Sequence, residues 1–182
     1  MQALMMNTQL MISSILKHAE KNFPDVEMVS VTVDSPRHRQ NYKTFAKRSR
    51  QLANVLKSLG AKFGDRIGTL AWNDFRHMEL YYAVSGSGMV CHTINPRLFP
   101  EQVAYIINHA EDKILFVDVL VMPLLEALQA HLSKVEKIVI LTDKAHMPES
   151  TLPNILCYEE ILESQSDNYD WPEFDENTAS GM

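Results

Sequence analysis

Cysteine is scarce: Cys91 and Cys157 are the only two in 182 residues, and no CxxC pair exists. That speaks against a disulfide framework and suits a reducing compartment, so the cytoplasm is the expected location. No Arg precedes Arg37, and no basic start leads into an unbroken apolar core, so neither a presequence nor a secretory signal is visible. No stretch of about 18 residues is free of charged and polar groups, so no membrane-spanning helix is expected. Between Glu159 and Glu176 stand eight acidic residues and no Lys or Arg. The whole chain carries −6, so the remainder is at about +2, without the concentrated basic face that nucleic acid requires. The acidic run reads as a solvated surface segment. No GxxxxGK[ST] sequence occurs, and no Ser/Thr/Gly-rich loop replaces it. Gly86-Ser87-Gly88 follows a helical pattern and opens a strand, the reverse of a phosphate loop, so close backbone packing is its expected role.

What is present is a chain long enough to bury about 70% of its unfolded surface as one domain. Its 46% hydrophobic and 22% charged content is ordinary for a soluble globular protein. The organising stretch is residues 92–118, HTINPRLFPEQVAYIINHAEDKILFVD. Asn95-Pro96 is a turn pair, Pro100 suits the first helical position, and Glu101 places negative charge in the first turn. Phe99 would be the cap, and a poor one. Val103, Ile106, Ile107 and Ala110 then recur on one helix face. Residues 113–117 form a short apolar run, as expected of a strand buried on both sheet faces.

Around this unit the pattern extends in both directions. Thr8 is the expected cap of a first helix carrying Ile12, Ile15, Leu16, Ala19 and Phe23 on one side, stopped by Pro24. Such an early amphipathic helix could meet a partner or a membrane surface; packing on its own domain is the expectation. Residues 28–33 alternate as a strand, and residues 40–43 return as the second arm of a hairpin. Thr44 is the expected cap of a helix burying Phe45, Ser49, Leu52, Leu56 and Leu59, with Lys47, Arg48, Arg50 and Lys57 in water and Gly60 at its end. Strands are expected over residues 66–71, 89–94 and 137–141. Helices are expected from an Asn73 cap through Val84, over residues 121–132, and near residues 158–163. From Lys62 onward strand and helix alternate, the pattern of an open, mostly parallel α/β sheet flanked by helices. Residues 177–182 look like the approach to another strand, which the chain ends within; the fold reads as truncated.

Few constellations could carry chemistry. His77, His92 and His109, with Cys91, are the candidates for a metal cluster, but they lie on separate expected elements without ligand spacing. His109, near the end of its helix, would gain from the helix C-terminus when protonated. Asp118 ends a strand where such sheets place ligands, which raises a phosphorylatable receiver domain. That reading needs an acidic pair after the first strand, and only Asp34 stands there. No Ser-His-Asp or Cys-His arrangement can be assembled.

Taken together, several stretches closely resemble the N-terminal part of fatty-acid CoA ligases, the medium- and long-chain acyl-CoA synthetases of the AMP-binding, adenylate-forming superfamily. They are Asp65-Arg66, residues 69–73 (TLAWN) with Arg76-His77, Tyr82-Ala83-Val84, residues 89–98 (MVCHTINPRL), residues 108–113 (NHAEDK) and Asp175-Glu176-Asn177. The resemblance implies that ATP and a fatty acid give an acyl-adenylate, from which CoA displaces AMP, with magnesium assisting the first step. It also implies that residues 1–60 form an N-terminal helix, hairpin and helix belonging to a second, incomplete sheet, and that residues 61–182 form the parallel subdomain, cut before the phosphate-binding loop. On that division, the first 59 residues should touch the rest sparingly. Relatives hold their phosphates with a Thr/Ser/Gly-rich loop and bring a catalytic lysine from a C-terminal domain. Neither is in these residues, so no catalytic, cofactor-binding or metal-binding residue is assigned and the isolated chain is expected to be inactive. The competing reading is a stand-alone, non-enzymatic interaction or homodimerisation module derived from that family.

Overall fold

The structure is a computed structural model and describes residues 6–182. Strands β3 (Arg66–Leu70), β4 (Val90–Thr93), β5 (Ile114–Val117), β6 (Lys137–Ile140) and β7 (Ile155–Cys157) form one parallel sheet in the order β4-β3-β5-β6-β7. Strands β1 (Glu27–Ser30) and β2 (His38–Asn41) pair antiparallel as a separate two-stranded sheet. The hairpin and the parallel α/β sheet were both expected. β7 was not: three residues between Pro153 and a helix are too short to show a period.

Burial on both faces explains why the strands are apolar without a polar alternate. Along β5, Ile114 and Phe116 join one core while Leu115 and Val117 join the other. The first core is closed by helices α1 (Ile12–Asn22), α2 (Tyr42–Ser58), α3 (Phe75–Gly86) and α6 (Tyr158–Glu163), which contribute Leu16, Phe45, Leu52, Leu56, Leu80 and Tyr158. The second is closed by α4 (Pro100–Ala110) and α5 (Met122–Leu128), through Val103, Ile107 and Leu125. This is the doubly wound arrangement, in which the crossovers leave β3 and β5 toward opposite faces and open a crevice at their carboxyl ends.

Two expected caps move, by three residues and by one, for the same reason: an Asn or Asp side chain reaches the third amide ahead of it. Asn41, not Thr44, caps α2 by accepting from the Thr44 amide at 2.9 Å. Asp74, not Asn73, caps α3 by accepting from the His77 amide at 3.0 Å. α1 begins after Met11 with no side-chain cap, and Thr8 lies outside it. Its buried side is Ser13 and Leu16, whereas Ile15 and Phe23 are exposed. Phe99 is indeed a weak cap for α4; Gln102 Oε1 accepts from the Phe99 amide instead, half of a capping box. The helix expected over residues 121–132 is shorter, with single 3-10 turns at residues 119–121 and 129–131. Gly60 ends α2 at φ +87°, with the Ala61 amide reaching back to the Leu56 carbonyl at 3.0 Å.

Contact between the first 59 residues and the rest is extensive, contrary to expectation. α2 packs on α3 and α6 within the first core. Its Arg50, Gln51 and Asn54 also donate to backbone carbonyls of Leu162, Gln165, Ser166, Asp167 and Asn168. The acidic run is therefore strapped to the body. Trp171 fixes it further, its ring lying where a Cβ on Gly86 would stand at 2.7 Å. Beyond it, Cys91 donates to the Ser180 carbonyl and Thr93 to the Met182 carbonyl, both at 3.0 Å, so residues 180–182 run parallel to β4 as the expected extra strand begins.

The Gly86–Trp171 contact generates a prediction. Gly86→Ala forces the indole out of its seat and is expected to destabilise the chain by about 1–3 kcal/mol. Chemical denaturation with tryptophan fluorescence reads both the loss and a more solvated indole.

Candidate functional site

The carboxyl ends of β3, β5 and β6 are where this sheet type places ligands, and the chain puts its densest buried charge beside them. Glu79, on the inner face of α3, has no solvent access. Arg48 of α2 donates to it through Nε at 2.7 Å and Nη2 at 3.2 Å, and the Tyr158 hydroxyl donates at 2.6 Å. Arg48 Nη1 and Nη2 also reach Glu159 at 2.9 and 3.1 Å. Glu159 in turn accepts from Arg76 Nε at 2.7 Å. Arg76 then grips Asp34, at the tip of the hairpin, through Nη1 at 3.1 Å and Nη2 at 2.8 Å. Thr32 donates to Asp34 at 2.6 Å and Thr142, just past β6, at 3.3 Å. Phe75 lies under the array, with His38 stacked on its ring at 3.6 Å and the Arg76 guanidinium 4.7 Å from its centre.

The electrostatics follow from burial against pairing. Burial pushes the Glu79 carboxyl up, opposed by Arg48. Burial and the neighbouring Glu79 hold the Tyr158 hydroxyl far above its ordinary range. At Asp34 burial also acts upward, but hydrogen bonds from Arg76 and Thr32 outweigh it and hold the carboxyl at about 2.

Most of this array was missed in the sequence. Arg48 and Arg50 were placed in water and Glu159 in a solvated run; all three form ion pairs, Arg50 with Glu20 at 2.8 Å. A signal existed: Arg48 lies one residue before Ser49 on a helix whose buried face is broad, and Glu79 sits amid apolar neighbours.

The candidate metal residues do not converge. His77 meets the Thr69 hydroxyl at 3.0 Å, and His92 Nδ1 meets the Asp112 carboxylate at 2.7 Å. His109 stacks on Tyr105, and burial pushes the Cys91 thiol up to about 12. Asp118 caps a turn by accepting from the Leu120 amide, and Asp34 belongs to the hairpin rather than the parallel sheet, which removes the acidic pair of a receiver. Among the described residues, Asp34, Asp143 and His146 could bring three ligand atoms within 4.8 Å of one another. That set does not fit magnesium, which needs an octahedron of oxygens. One donor is a ring nitrogen, and Asp34 is already neutralised by Arg76.

Two predictions follow. Arg48→Met leaves Glu79 buried without its cation and is expected to cost about 3–5 kcal/mol, whereas Arg48→Met with Glu79→Leu recovers most of it; urea denaturation measures both. Asp34 has a folded pKa below its ordinary 3.8, so its stabilisation is present above about pH 5 and disappears as pH falls toward 2. The stability gap between the parent and Asp34→Asn should therefore be about 2 kcal/mol at neutral pH and close at low pH.

Residues 16–174 match the family model described as AMP-binding enzyme. The 3-methylmercaptopropionyl-CoA ligase of Ruegeria lacuscaerulensis is 45% identical over 178 residues, which are 98% of this chain and 33% of that relative. The medium-chain-fatty-acid–CoA ligase of Ectopseudomonas oleovorans is 43% identical over the same shares of each chain. A solved anthranilate CoA ligase in complex with anthranoyl-AMP superposes with a TM-score of 0.78 at 18% identity, over 98% of this chain and 32% of that one, a likeness of fold. The chain spans about a third of the length of the curated relatives it matches. With a doubly wound sheet of this order and a family match running through nearly all its elements, the chain belongs to the AMP-binding enzyme family.

Proposed function

We propose that this chain is framework for an ATP-dependent fatty-acid CoA ligase, in which a fatty acid and ATP give an acyl-adenylate and pyrophosphate and CoA then displaces AMP as the thioester. Magnesium would assist the first step. The observation that carries this reading is 45% identity, across almost the whole chain, to a ligase that joins an acid to CoA. The medium-chain relative favours a fatty acid as the substrate.

By itself the chain is proposed to be inactive. Positioning two reactants is worth about 7–11 kcal/mol of barrier, and fixed donors around developing charge add more. These 182 residues contain no GxxxxGK[ST] sequence and no Ser/Thr/Gly-rich loop, which supports this reading. The polar groups at the carboxyl edge, Arg76 above all, are saturated by carboxylates of the same chain. The separate pairing of the hairpin supports a division in which residues 1–60 contribute to a second sheet.

The expected result of titrating ATP into the 182-residue chain by calorimetry is affinity no tighter than millimolar; micromolar affinity would overturn the proposal that it is framework alone. Joined to the remaining two thirds of a relative such as the medium-chain ligase, the chain is expected to restore AMP formation with a fatty acid and CoA. A folded chimera with no such activity on any chain length would count against the ligase assignment and favour the interaction module.

A further inference from the structure

The β1–β2 hairpin is joined to the body in an unusual way. It shares no strand pairing with the parallel sheet, and a hairpin of two four-residue arms is marginal without support. Its outer face offers little, since Val29, Val31 and Val33 are all exposed. Support must come from the inner face, where Met28, Ser30, His38 and Gln40 point toward the body.

At one point of that seam two polar side chains are weakly paired. Gln40 is 7% exposed, and its amide lies against the His38 ring without the geometry of a full hydrogen bond to it or to any other described residue. Polar atoms desolvated without full compensation subtract from docking. Beside them, a cleft of about 310 Å³ separates Ser30 of β1 from Asn73, Asp74, His77, Met78 and Tyr81 at the start of α3. What holds the hairpin is a stack at its middle, where the His38 ring lies on Phe75 at 3.6 Å with Met28 of β1 against the edge of the first core, and a fastening at each end. At its base, β2 runs straight into α2 through Asn41, and Tyr42 donates to the Val26 carbonyl at 3.3 Å. At its tip stands the two-pronged Asp34–Arg76 ion pair, with Thr142 as an additional donor.

A strap fixed at one end, seated along its length by one ring stack and one methionine, and caught by a charge pair at the other is built to open at the catch. We propose that the β1–β2 hairpin is a flap over the carboxyl edge of the parallel sheet, that it opens as a unit about the residues 24–26 and Asn41, and that Asp34 is its catch. Opening uncovers Arg76, Phe75 and Glu159 on the side where the sheet type receives ligands, while leaving the Arg48–Glu79–Tyr158 cluster intact. The inference does not depend on the ligase reading, because it concerns only how this chain opens.

Hydrogen exchange with mass spectrometry on the 182-residue chain tests it, with Asp34→Asn as the variant because the amide keeps the shape and loses the charge. In the parent, hydrogen-bonded amides of β1 and β2 are expected to exchange at least about tenfold faster than those of β3, β5 and β6, with a weaker dependence on denaturant. In Asp34→Asn the hairpin amides should accelerate by a further tenfold or more while keeping their weaker dependence on denaturant, and the parallel strands should accelerate only by the factor that the lost global stability sets. The proposal is overturned if the parent's hairpin exchanges in step with the parallel strands at every denaturant concentration, a measurement that needs no variant. It is equally overturned if Asp34→Asn leaves the hairpin rate unchanged, gives the hairpin amides the denaturant dependence of the parallel strands, or prevents folding, since a catch acting on one flap does none of these.

Discussion

Glu79 sits on α3 where two other helices close over it, and a carboxylate without water must be met by a cation and donors or not be charged at all. Arg48 from α2 and the Tyr158 hydroxyl from α6 meet it. Because a guanidinium has five donors in a rigid fork, Arg48 is also committed to Glu159, which commits Arg76, which commits Asp34. One buried charge thus sets the positions of three helices and the tip of the hairpin. Networks of this kind add little net stability over apolar packing of the same volume. Their consequence here is geometric: sliding any of the four elements leaves a charge unpaired.

The apolar architecture supplies the stability that the charges do not. Alternate residues of β5 and β6 enter two different cores, so the sheet is held from both sides and cannot slip by one residue without exchanging its faces. On one side α4 and α5 make a conventional cover. On the other, α2 and α3 are held together by the chain's acidic segment, whose carbonyls accept from α2 and whose Trp171 lies against Gly86. Charge composition alone misrepresents that segment: its acidic side chains largely face water, but its backbone and its tryptophan are structural.

Much of the fold was legible in the sequence because it rests on period and punctuation. The unit from His92 to Asp118, the glycine at residue 60 and the apolar β5 run need only local rules. The short helix at Tyr158–Glu163 was bounded correctly as well. The misses are of two kinds. β7 and the cap positions at Asn41 and Asp74 turn on single residues, below the scale at which a pattern appears. Arg48, Arg50 and Glu159 were read as solvated because a charged residue on a helix normally is, and their partners lie 31, 30 and 111 positions away in the chain.

By itself the sequence determined the class of fold, the alternation of strand and helix and the family resemblance, because hydrophobic periodicity and turn chemistry act over a few residues and are written in consecutive letters. Only the tertiary structure decided which charges are buried, that the acidic run is bound along α2, and that Asp34 meets Arg76. Those outcomes depend on which distant residues share a desolvated space, and the strength of an ionic contact is set by that space rather than by the residue that carries the charge.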